Sequence, residues 1–192
     1  MGSLLEKDLA TPEYYPLSLN ALVLACNQKT NREPVTDYSE EQVWETLAAL
    51  RSRGLVAEVP SSRVTKFEHR LGGQLNLGRG ELALLAVLLL RGPQTLYELR
   101  ERTARMHPFE DTDAVRSTLH RMPAGLVVEL PPRPGWREIR WAEQLTGPPP
   151  TLATTRPDPE PIGPDDRLRR LEAEFQQLRA RLEALERKFG DF

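Results

Sequence analysis

A mainly helical α+β fold is predicted, built from two tandem winged helix-turn-helix domains and a C-terminal coiled-coil helix. Three features of the sequence predict it. The first is the stretch at 38–59, YSEEQVWETLAALRSRGLVAEV, which reads as a capped helix, a glycine stop and a short β-rich run. The second is a degraded copy at 111–130, DTDAVRSTLHRMPAGLVVEL. Val43 aligns with Val115, Leu47 with Leu119, Leu50 with Met122, and Gly54-Leu55-Val56 with Gly125-Leu126-Val127 after a one-residue deletion. A helix running directly into a hairpin, twice, is the back half of a winged helix. The third is a heptad run near the C-terminus. The resulting boundaries are 1–76 and 77–145 for the two domains, 146–164 for a proline-rich linker and 165–192 for the coiled-coil helix.

Along the first unit, residues 1–10 read as a helix with Leu4, Leu5 and Leu9 at helical spacing, starting abruptly as though a first turn were missing. Pro12 and Pro16 break it. Ser18 is placed to cap a second helix with Leu19, Leu22, Val23 and Cys26 on one face. The string NQKTNREP at 27–34 is a polar connector. Ser39 opens the third helix, with Gln42 three residues on as the second half of a capping box and Tyr38 with Val43 as a hydrophobic staple. Gly54 suits the left-handed position that ends such a helix. Residues 55–59 and 64–71 read as strands around a turn at 60–63.

The second unit repeats the order. GELALLAVLLLR, 80–91, is apolar on almost every face, which implies a helix buried between layers. Gly92-Pro93 stops it, and Thr95 with Glu98 forms another capping box. Residues 111–122 are the third helix. Residues 126–130 and 136–141 are strands of a second wing, with Trp136 and Trp141 as anchors packing on the helices.

Nine of the residues at 146–164 are glycine or proline, so this segment has no core of its own and serves as an extended linker. Beyond it, Leu168, Leu171, Phe175, Leu178, Leu182, Leu185 and Phe189 recur at alternating spacings of three and four. With Leu168 at position a, every d is leucine. In a parallel pair the g-to-e′ contacts join Arg167 with Glu172, Glu174 with Arg179 and Arg181 with Glu186, all attractive. Exposed pairs contribute only about 0.2–1 kcal/mol each, so they choose orientation more than they supply stability. A parallel homodimer follows. A single amphipathic helix folding back on its own chain is the competing arrangement.

Composition restricts function without assigning it. Hydrophobic residues are 39% and charged residues 28% of 192, which permits a globular core beside a polar segment. The net charge of −2 lacks the strong basic balance of many nucleic-acid binders, although net charge can conceal a local patch. Cys26 is the only cysteine, so no disulfide framework or cysteine-rich metal site forms within one chain. Glu6, Lys7 and Asp8 argue against a signal peptide, and the apolar run 82–90 is far too short to span a bilayer. A cytoplasmic protein with no membrane association is the expectation.

No catalytic constellation is present: no Gly-rich phosphate loop, HExxH, GxSxG or dinucleotide fingerprint. His69, His107 and His120 lack ligand spacing, and Cys26 lies on an apolar helix face where a thiol is inert. The expectation is a non-enzyme without metal or cofactor. A winged helix docks its third helix in the DNA major groove. In the first unit that helix leads with Glu40, Glu41 and Glu45, which a polyanion disfavours. Lys29 and Arg32 in the connector and Arg63 and Lys66 in the wing are its better candidates. Residues 77–145 carry ten basic and nine acidic side chains, net +1, against eight and ten, net −2, in residues 1–76. All ten are arginine, whose planar fork suits phosphate and guanine. Arg116, Ser117, His120 and Arg121 on the third helix, with Arg133, Arg137 and Arg140 on the wing, form the primary candidate surface for double-stranded DNA. The alternative reading is that these arginines are solvated and paired with Glu110, Glu129 and Glu138, and that the folds serve as a scaffold binding another protein.

TPEYYPLSLNALVLACNQKTNREPV, the S-E-x-x-V helix start, the RGLV step, the KFEHRL wing end and LLLRGPQTLYELRERT together resemble the YceH-like family of uncharacterised bacterial proteins, over roughly 4–147. The resemblance implies tandem winged helices and carries no catalytic residues. The linker and heptad tail lie outside it. Truncation after Pro164 is expected to convert a dimer to a monomer in sedimentation equilibrium; an unchanged dimer would locate the contact in the body instead.

Overall fold

Local punctuation in the chain sets the order of elements. The structure, a computed structural model, describes residues 1–61, 64–131 and 138–147. Within them the protein is α+β, with seven α-helices and two small antiparallel sheets. The first half runs α1 (Gly2–Ala10), a 3-10 turn (Pro12–Tyr14), β1 (Leu17–Ser18), α2 (Leu19–Cys26), α3 (Glu40–Ser52), β2 (Val56–Val59) and β3 (Lys66–His69). The short α4 (Leu71–Leu75) leads into α5 (Arg79–Arg91), α6 (Leu96–Thr103), α7 (Thr112–Arg121), β4 (Val127–Leu130) and β5 (Arg140–Glu143).

The helix ends are made by the residues that the sequence marks. The Ser18 hydroxyl accepts from the Ala21 amide at 3.3 Å. Ser39 and Gln42 close a reciprocal capping box, as do Thr95 and Glu98. Two orphan amide donors at each helix start are thereby satisfied. Gly54 ends α3 at φ +71, with its amide donating to Arg51 and the Leu55 amide donating to Leu50, the paired bonds of a Schellman motif. Gly125 adopts φ +80 at the equivalent place after α7. Asp111 caps α7 by accepting from the Ala114 amide at 2.7 Å.

Three elements depart from the sequence expectation. Leu71 is not the end of a strand: β3 stops at His69, and Leu71 starts α4, whose two glycines hide a helix that tertiary packing stabilises. The last strand spans Arg140–Glu143, shifted towards the C-terminus from 136–141. β1 is an addition. It pairs antiparallel with β3, giving the sheet order β1-β3-β2, with Leu17 opposite Phe67. The second half has a counterpart. Gln94, which like Leu17 directly precedes a helix cap, forms an isolated bridge with Trp141 through bonds of 2.9 and 2.7 Å. The internal repeat therefore extends beyond the aligned helix and hairpin to the strand register before each second helix.

Two apolar clusters form. One gathers Leu4, Leu17, Leu22, Ala25, Val43, Leu47, Val56 and Phe67. The other is centred on α5 and includes Leu99, Val115, Leu119, Met122, Leu126 and Trp141. α1 serves both, because Leu4 enters the first while Leu5 and Leu9 enter the second. On α5 every residue from Leu82 to Leu88 is buried, as its all-round apolar pattern requires. α1 and α5 pack antiparallel. A side chain at Gly2 would meet Leu90 at 2.9 Å, while at the other end the Arg79 guanidinium donates to the Leu9 carbonyl at 2.8 Å. These elements belong to one compact unit, Met1–Thr151.

A buried ion pair fastens the connector to α1. Arg32 is 6% exposed and reaches Glu6 at 2.7 Å, with Nε and Nη2 also donating to the Ala25 carbonyl at the end of α2. Removing one partner of a buried pair leaves the other charge desolvated and uncompensated. Arg32→Ala is therefore expected to lower the unfolding free energy by about 3–5 kcal/mol in chemical denaturation; a loss no larger than that of an exposed pair would show that water replaces the guanidinium.

Candidate nucleic-acid interface

The register of α7 decides which of its side chains face out. Val115, Thr118 and Leu119 are buried, so Arg116, Ser117, His120 and Arg121 all lie exposed on the opposite side. Positions i, i+1, i+4 and i+5 form one stripe on a helix. Its restraints are light. Arg116 approaches Asp113 at 3.9 Å with both side chains mostly in solvent, an arrangement worth little. Arg121 donates to the Thr118 hydroxyl at 3.1 Å. His120 stands edge-on to Trp141 at 5.2 Å between centroids, so the buried indole braces the imidazole from beneath. Trp141 is 4% exposed, in keeping with an anchoring role. The first turn of the helix is acidic, with Asp111 at the cap and Asp113 beside it. The cationic groups thus sit in the middle and C-terminal turns.

The remaining candidate residues divide by burial. Lys29 is exposed and Lys66 half-buried. Arg63, Arg133 and Arg137 lie outside the described residues, as do Trp136 and the segment 148–192 with its Leu168, Leu171, Phe175, Leu178, Leu182, Leu185 and Phe189 heptads. Two positions require correction. Arg32 faces the interior, and its guanidinium is occupied by Glu6, Gln28 and the Ala25 and Asn31 carbonyls, which leaves no donor fork for a phosphate. Arg140 donates to Glu98 and to the Pro93 carbonyl, both at 2.9 Å, and braces the start of α6. Burying cationic groups against carboxylates satisfies them locally, a distinction that residue type alone does not make. His69 also turns inward, with Nε2 at 3.1 Å from Asp8 and its amide donating to the Tyr15 hydroxyl at 2.5 Å. Burial pushes the Tyr15 phenol above its usual range.

The two copies of the repeat differ on this face. The α3 positions equivalent to Arg116, Ser117, His120 and Arg121 are Trp44, Glu45, Ala48 and Ala49, and all four are exposed. Trp44 is 46% exposed and meets Phe67 edge-on at 6.1 Å. The same helix face is thus basic in one half and apolar and acidic in the other. Alignment of the two copies carries this signal, but the outward direction becomes definite only with the buried Val43 and Leu47. Beside α3 lies a cleft of about 450 Å³, lined by Leu4, Leu22, Leu47, Leu50 and the half-buried Cys26 among others. Among the described residues no group of three His, Cys, Asp or Glu side chains is placed to hold a metal, and no helix is long and apolar enough to cross a membrane.

Comparison with known proteins agrees with the resemblance read from the sequence. A family model described as "Protein of unknown function, DUF480" matches residues 1–136. A UPF0502 protein of Solibacter usitatus is 46% identical over 193 residues, covering 98% of this chain and 94% of the relative. Another, from Cronobacter sakazakii, is 46% identical over 206 residues, covering 100% and 94%. A UPF0502 protein of Pseudomonas paraeruginosa reaches 51% over 146 residues, covering 76% and 66%. With residues 1–136 matched by the family model and 98–100% of the chain shared with two of these relatives, the chain belongs to the DUF480 family of bacterial UPF0502 proteins.

Proposed function

We propose that the protein binds double-stranded DNA through α7, as the third helix of the second of two winged-helix domains, residues 1–76 and 77–145, held as a parallel dimer by the C-terminal heptads. The observation that carries this reading is the exposed stripe of Arg116, Ser117, His120 and Arg121 on a helix braced from behind by Trp141. Guanidinium groups without strong internal partners are free to exchange solvent for phosphate oxygens, and the released counterions supply the driving force. Asp111 and Asp113 oppose deep insertion by the helix N-terminus, so the helix lies along the groove with its middle turns against the backbone. Pairing two chains multiplies the effective concentration of the second site. In this arrangement the protein acts in regulation and not as an enzyme, and works in the cytoplasm.

A second reading, a scaffold that binds protein, is favoured by α3. Trp44, Glu45, Ala48 and Ala49 present an apolar and acidic face where the repeat elsewhere is basic. The two readings assign different halves and are compatible in one chain.

Fluorescence anisotropy with a mixed-sequence duplex across a salt series tests the first. Log affinity is expected to fall linearly with log salt, at a slope of about −0.9 per phosphate neutralised. Reversing two charges, in Arg116→Glu with Arg121→Glu, is expected to weaken binding by on the order of a hundredfold at low salt while leaving the thermal melt unchanged. Absence of binding at low salt would refute the proposal, and unchanged binding by the double variant would remove α7 from it.

A further inference from the structure

A second cationic feature lies away from α7, where α1, the connector and the end of α5 meet α6. A pocket of about 240 Å³ opens there. Five charged side chains line it: Lys7 from α1, Arg91 from α5, Arg102 from α6, Arg105 from the following turn, and Glu6. Four are cationic. The single carboxylate is already neutralised, because Glu6 forms the buried pair with Arg32. Glu33 approaches from outside the lining at 3.4 Å from Arg91 and 3.8 Å from Arg102, but it is half in solvent and its contacts are long, so it screens the excess weakly. Glu98 is shared between Arg102 and Arg140. Lys7 and Arg105 make no side-chain hydrogen bond or ion pair among the described residues.

Such a cluster is held together against its own repulsion. Burial, and then the neighbouring charge of Arg102, hold the Arg91 guanidinium below the ordinary arginine range. Beside those longer carboxylate contacts, Arg91 bonds the Asn31 side chain and Arg102 the Gln94 side chain, which are neutral and leave the positive charge uncompensated. Three arginines, Lys7 and Gln28 therefore line a cavity whose only lining carboxylate, Glu6, is already paired with Arg32. An anion with several acceptor oxygens fits that donor set: arginine forks match carboxylate and phosphate geometry alike, and four cations around one cavity suit the multiply charged phosphoryl group. The volume is below the usual range for drug-sized ligands, which suits a phosphoryl group with a small attached body.

We propose that this pocket is a binding site for a phosphoryl anion, either inorganic phosphate or a small phosphomonoester, held by Lys7, Arg91, Arg102 and Arg105. The site is independent of DNA binding by α7. Its ligand touches α1, the connector, α5 and α6 at once, so occupancy stiffens the seam between the two apolar clusters.

Isothermal titration of the full chain at constant ionic strength tests the site, with inorganic phosphate, adenosine monophosphate and a short DNA duplex as separate ligands. The expected result is one saturable site per chain for phosphate or the monophosphate, with a rise in melting temperature. Tighter binding of the monophosphate identifies an organic ester as the ligand class, and preference for phosphate identifies the free ion. Lys7→Ala at a half-buried position and Arg105→Ala at an exposed one, neither with a side-chain partner among the described residues, are expected to weaken binding by on the order of tenfold apiece with the fold intact; Arg116→Ala is expected to leave it unchanged. Heat no greater than that of sodium chloride at equal ionic strength would overturn the proposal. So would wild-type affinity in both pocket variants, or saturable binding by the duplex alone.

Discussion

The antiparallel packing of α1 on α5 is the constraint on which the rest depends. α5 is apolar around its circumference, and a helix of that kind is stable in water only when covered on every side. Fully burying one leucine contributes about 1.5–3 kcal/mol, so leaving even one face of Leu82–Leu88 open would remove a large part of a domain's net stability. α6, α7 and β5 cover part of that circumference, and α1 covers the rest with Leu5 and Leu9. The equivalent first helices of the two copies thus become each other's cover. Leu4, on the other side of α1, ties this seam to the smaller cluster.

Polar groups then fix what apolar packing leaves free. Arg79 reaches from α5 to the Leu9 and Met106 carbonyls, and the Glu33 amide donates to Leu90 at the far end. Arg32 and Glu6 close the connector down on α1. The polar string NQKTNREP consequently works as an internal clasp. Its Arg32 is directed at the protein's own carbonyls and at Glu6, and its Glu33 at Arg91 and Arg102.

Much of this fold was legible in residue order. Ser18, Ser39 and Thr95 announce their helices because a hydroxyl readily accepts from the free amides at a helix start. Gly54 and Gly125 mark left-handed stops, where a side chain would be strained. The missed elements lack such local causes. α4 contains Gly72 and Gly73 and forms because Leu71 and Leu75 have a core to enter. β1 is two residues long and exists only through its partner strand. The candidate surface was partly legible for the same reason. Periodicity put Arg116 and Arg121 on one face, but nothing local distinguishes them from Arg32 or Arg140, whose acceptors are distant in sequence. Arg91, Arg102 and Arg105 have no pattern in the sequence, because they come together only through tertiary packing.

Shared cover at the seam also imposes an order in time. Synthesis proceeds from the N-terminus, and domains generally fold as they emerge. Leu9 is made about 70 residues before the first residue of α5, Arg79. Through that interval Leu5 and Leu9 have no α5 to cover them, and the smaller cluster around Leu4 waits for Phe67, made only shortly before Arg79. The nascent first half therefore carries Leu5 and Leu9 as an adhesive edge until its own second half is made, because α5 is the surface that covers them.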